Sequence, residues 1–126
     1  MTVFPSDVAG IAVMGSAHRC SPDVVKRKLE NANSRGLGNV ISVQVEKWPD
    51  GMAREDVIRR AVEGLPHKKV LVADTQALYT AGFTLRLEVS NGQQPNHHHV
   101  EFADPVTDDM IDAFGRCFSD PEPKPA

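Results

Sequence analysis

The feature that most constrains this chain is a period of two in its apolar residues. In Val40–Trp48 (VISVQVEKW), Ile41, Val43 and Val45 point one way while Ser42, Gln44 and Glu46 point the other. Successive side chains of a strand face opposite sides of a sheet, so this alternation predicts a strand with one apolar and one wet face. The same pattern recurs in Phe83, Leu85, Leu87 and Val89 against Thr84, Arg86, Glu88 and Ser90. A polar loop follows, and then HHHVEFA sets His98, Val100 and Phe102 against His97, His99 and Glu101. The pair reads as a β-hairpin within residues 82–103.

Helical periodicity separates these strands. Ser21, Pro22 and Asp23 form a start signal, and Val24, Val25, Lys28, Leu29 and Ala32 share one side with Lys28 at its edge. That helix should stop near Arg35, before Gly36. Pro49-Asp50-Gly51 is a turn; the helix after it buries Val57, Ile58, Ala61 and Val62 and runs through Glu63. Asp104 and Pro105 are expected to open a last helix with Val106, Met110, Ile111, Phe114 and Phe118 as its apolar stripe. Val70–Ala73 has no polar alternation and reads as a central strand, and Ala77–Ala81 as a loop or single turn. Gly10–Met14, bounded by glycines, is expected to be a short buried strand rather than a helix.

The resulting order is β-α-β-α-β-β-β-α. It predicts an α/β chain bordering on α+β, built on a single mixed sheet of about five strands. The first half is expected to be parallel, with the antiparallel hairpin at one edge and the helices packed on the sheet. Residues 1–118 form one domain in this reading. The tail 119–126, with proline at alternate positions, is expected to be disordered or extended.

Charge and composition narrow the function. The chain carries a formal net charge of −3, and its short basic groups sit beside acids. One Trp and one Tyr leave little for base stacking, so nucleic acid is not favoured as a partner. No apolar run approaches the ~18 residues that span a bilayer. Two cysteines far apart in sequence are too few for a disulfide framework and point to a reducing, cytoplasmic setting.

Three groups of residues could carry chemistry. On a strand His97 and His99 share a face about 6.5–7 Å apart, with Glu101 extending the row. Together they could hold a divalent metal such as zinc, with a fourth ligand from His18, His67, Asp74 or Cys20. The connection 15–21 leads from a strand into a helix start, where anions and small ligands bind in open α/β sheets. There His18 and Arg19 could contact the ligand, and Cys20 could be a more reactive thiol. Asp74, just past VLVA, could line the same cleft or serve as a turn residue. His98 is expected to be a hydrogen-bonded residue at the core edge. No Walker motif, HExxH or zinc-finger spacing occurs.

These features support three functions. The leading one is a non-enzymatic assembly domain that binds a partner protein or itself through the face or edge of the 82–103 hairpin. The second is a metal-dependent hydrolase using His97 and His99 with Glu101 or Asp74. The third is a small-ligand or anion site at the 15–21 connection.

Overall fold

The computed structural model describes residues 2–88 and 95–126. Strands β1 (Gly10–Gly15), β2 (Val40–Lys47), β3 (Lys69–Asp74), β4 (Thr84–Leu87), β5 (His97–Glu101) and β6 (Glu122–Pro123) form one sheet in the order β4-β5-β2-β1-β3-β6. Four helices pack on it: α1 (Pro22–Ser34), α2 (Arg54–Ala61), α3 (Thr75–Thr80) and α4 (Asp108–Arg116).

Every strand pairing is antiparallel, which corrects the parallel first half expected of a mixed sheet. The connection β2-α2-β3 does join two strands that run the same way. Both, however, pair antiparallel to β1, which lies between them. Alternating helices and strands reveal a crossover but not which strand fills its middle.

Local chemistry explains the helix ends. Ser21 caps α1 with its Oγ accepting from the Val24 N–H at 3.4 Å, and Pro22 occupies the first turn. Gly36 leaves that helix at φ 76°, a conformation open to glycine. In α4 the cap is Thr107, whose Oγ1 accepts from Met110 N–H at 3.2 Å. Asp104 and Pro105 therefore precede the helix instead of opening it. Residues 77–80, expected as loop or single turn, belong to α3, and Leu78 is fully buried there.

The sheet has two unequal faces. On one, Ile41, Val43, Val45, Leu85, Val100 and Phe102 meet α1, α3 and α4 in the main core. On the other, α2 lays Val57, Ile58 and Ala61 over Ile11, Val13, Val70 and Val72. Past Val40, the residues that β2, β5 and β4 present on that second face are polar: Ser42 and Gln44, His97 and His99, and Arg86.

Both sheet edges are occupied by the ends of the chain. Phe4 N–H donates to Leu85 C=O at 2.9 Å and Leu87 N–H to Thr2 C=O at 2.8 Å, so residues 2–4 cover β4. At the far edge β6 pairs with β3, and Ser119 N–H donates to Val72 C=O at 2.8 Å. The tail, expected to be disordered or extended, is extended, and part of it pairs as an edge strand. Its alternate prolines fit this role, because an edge strand needs donors on only one side. Arg54 fixes it with two 2.8 Å hydrogen bonds to the Glu122 carboxylate. Val89, the expected last residue of the first hairpin strand, and Ser90–Gln94 of the loop lie outside the described residues.

Tail docking should respond to acid. The hydrogen bond from Arg54 holds the Glu122 carboxyl below its ordinary range; burial opposes this, and Ser119 adds to it. A folded value below the unfolded one gives a contribution that is complete above about pH 4.3 and is lost as pH falls through the folded value. The pair is partly exposed, so its contribution stays well under about 1 kcal/mol. We expect hydrogen-exchange protection of the Lys124 amide, which donates to Lys68 C=O, to fall in that acid range, and at all pH values in Arg54→Ala. Unchanged protection in the variant would contradict the strap.

Candidate functional site

Strands β1 and β2 pair only as far as Val13 opposite Gln44. Beyond that point β1 continues against β3 through Met14 and Gly15, while the earlier residues of β2, Val40–Val43, pair with β5. The two central strands are each held by an outer neighbour but not by one another, and a cleft of about 310 Å³ opens where they part.

Four elements and one connection supply its walls. Gly15 and Met14 come from β1, Ser42 and Gln44 from β2, and His97 from β5. Lys28 and Arg35 reach it from α1 and its end, and Leu65 and His67 from the connection between α2 and β3. Lys28 and Arg35 are seven residues apart, two helical turns, and so lie on one side of α1. Gly15 is needed for close approach, because a Cβ there would stand 2.2 Å from the His67 ring.

The electrostatics are one-sided. Among the described residues no carboxylate lines the cleft. Among the described residues neither Lys28 nor Arg35 belongs to an ion pair. Burial lowers the Lys28 pKa from its ordinary value, with Cys20 opposing that shift and the like charge of Arg27 adding to it. A half-buried ammonium without a carboxylate is a standing cost that an anion would offset.

The histidine row departs from the exposed face expected of it. His97, His98 and His99 are all buried, and so is Gln44. The faces are as alternation predicts: His98 turns toward the core, edge-on to Phe4 at 6.4 Å, with its Nδ1 2.8 Å from Asn96 C=O. Desolvation lowers its pKa, and the Asn96 carbonyl partly opposes this. His97 and His99 share the other face with ring centroids 5.2 Å apart. The His97 Nδ1 lies 2.7 Å from Glu88 C=O. His99 Nδ1 is buried without a partner among the described residues, and burial, then His97, lowers its pKa. Alternation gives the side of the sheet and not what lies over it, so burial of this row was not legible.

Glu101, expected to extend the row, is taken by Arg86, whose Nε donates to it at 2.9 Å while Nη1 donates to Glu88 at 3.0 Å. Among the described residues no group of three or more His, Cys, Asp or Glu is placed to hold a metal ion.

The remaining candidates do not converge. Asp74 pairs with Ile11, four residues or about 13 Å along β1 from Gly15, and His18 lies beyond that glycine. His18 is exposed, and its N–H donates to Ser16 Oγ at 3.0 Å in a local turn. Arg19 and Cys20 line a separate cleft of about 230 Å³ against α4, where Arg19 and Arg116 are balanced by Asp112 and Asp120. Its mixed charge selects neither sign.

Cys20 is not the activated thiol expected at a helix start. Burial pushes it up to about 11, against a smaller pull from Lys28 and with Cys117 adding to the rise. Burial raises Cys117 as well. Both thiols are free. At about pH 8 each should therefore react with a thiolate-selective reagent more slowly in the native protein than in denaturant. Fast native labelling of Cys20 would contradict this placement.

No family model matches the chain, and neither a curated protein nor a solved structure matches it.

Proposed function

We propose that this chain binds a small anion in the cleft between the parted ends of β1 and β2. The observation that carries this reading is charge placement. A chain of net charge −3 gathers Lys28 and Arg35 at one cavity, with two imidazoles and, among the described residues, no carboxylate in its walls. Ser42 and Gln44 add neutral hydrogen-bonding groups, and Met14 and Leu65 an apolar side for an organic portion. The volume lies at the small end of ligand pockets, which suits a compact anion and not a nucleotide. This reading shares its chemistry with the third function raised by the sequence, but rests on the cleft lined by Gly15 and not on His18–Cys20.

Assembly through the hairpin has less support, because the β4 edge is already paired with residues 2–4. A sheet edge offers a docking template only while its backbone groups are unpaired.

Calorimetric titration with sodium phosphate, against sodium chloride at matched ionic strength, tests the proposal. Saturable one-to-one binding of phosphate is expected. Heats indistinguishable from those of chloride, for phosphate and for lactate alike, would sink it.

A further inference from the structure

The geometry points to a narrower ligand class: an oxoanion that carries its own O–H donor, such as hydrogen phosphate or a 2-hydroxy acid. This inference rests on the anion-binding reading above and concerns what His97 asks of the ligand.

The His97 ring is anchored through Nδ1, 2.7 Å from the Glu88 carbonyl oxygen. A carbonyl oxygen can only accept, so the neutral ring carries its hydrogen on Nδ1 and leaves Nε2 as a bare acceptor. Among the described residues His97 hydrogen-bonds through Nδ1 alone, and since their single buried unpartnered side-chain nitrogen or oxygen is His99 Nδ1, the Nε2 atom is accessible rather than sealed in. His97 also lines the cleft. The ring is 7% exposed and closed on one side by His99 edge-on at 5.2 Å, so it has little freedom to turn its other nitrogen to a ligand. His67 is exposed and can offer a donor or an acceptor by changing tautomer; it does not discriminate.

The cleft therefore presents two cations, which draw a negative charge, beside a fixed acceptor, which repels a bare oxygen lone pair. A ligand with its charge and an O–H on neighbouring atoms satisfies both at once. One with oxygen acceptors alone leaves Nε2 facing a lone pair, and an acceptor that the ligand covers without pairing is costly.

Matched pairs differing by one hydroxyl test this. At about pH 8, above the ordinary histidine range, hydrogen phosphate and sulfate are both dianions of the same shape. Lactate and propionate are likewise matched in charge and carbon chain. In calorimetric titrations of the wild-type protein the donor-bearing member of at least one pair should bind about tenfold or more tightly than its partner. Which pair shows the difference tells an inorganic ligand from an organic one. In His97→Gln, whose amide can donate or accept, that preference should fall to less than about threefold, with the donor-bearing anion still bound. Equal affinities within both pairs in the wild type would overturn the inference and leave anion binding itself standing. Absence of binding by all four anions would instead overturn the reading on which it rests.

Discussion

Replacing Phe114 with alanine should lower the free energy of unfolding by about 3–5 kcal/mol, the range for truncating a buried phenylalanine. Phe114 is fully buried, and its ring stands 5.5 Å from Phe83, 5.2 Å from Phe102 and 5.0 Å from Phe118. It therefore joins α4 to the start of β4, to the residue after β5 and to the root of the tail. Against a total of about 5–15 kcal/mol for an ordinary domain, the loss is a large share. Urea unfolding should show a lower midpoint at unchanged slope. Phe114→Leu, which keeps more of the volume, should cost less than half as much. A loss below about 1 kcal/mol for the alanine variant would contradict the aromatic cluster as the centre of the main core.

Lys28→Met should move two quantities in opposite directions. Phosphate affinity should fall about 10- to 100-fold, the scale of one charge-assisted hydrogen bond. The stability of the ligand-free protein should stay level or rise, because methionine keeps the apolar stem and removes a half-buried ammonium that no carboxylate compensates. Arg35→Met should weaken binding in the same sense, but with little effect on stability, since Arg35 is exposed. A Lys28→Met protein that unfolds more easily and binds phosphate as the wild type does would place Lys28 among purely structural residues.

Much of the framework is legible in the residues. The stop and start around α1, a strand at Gly10–Met14 (observed through Gly15) and the opposed faces of His97/His99 and His98 all follow from short-range rules. Strand direction does not. The β2-α2-β3 crossover looks the same in sequence whether or not β1 lies between its strands. The tail misleads for a related reason: PEPKPA has nothing to bury, and what orders it is a distant guanidinium, Arg54, and the open edge of β3.

The cleft was the hardest part to foresee. Lys28 reads as a solvated residue at the rim of an apolar stripe, and Gln44 as one more polar residue on a wet face. Only the parting of β1 from β2 after Val13 brings them to one cavity with His67 and His97. Two traces were nonetheless present. One is a glycine at the end of a buried strand, which marks close approach; the other is a pair of cations two helical turns apart on one side of α1.

The central claim is a place as much as a chemistry, and backbone amide resonances read place directly. On titration of the isotope-labelled protein with hydrogen phosphate, the amides of Gly15, Ser42, Gln44, His67 and His97 should shift together along one saturating curve. Those of Arg19, Cys20 and Arg116, in the mixed-charge cleft against α4, should stay still. Saturable shifts confined to that second cleft, or no saturable shift with either hydrogen phosphate or lactate, would contradict anion binding where β1 and β2 part.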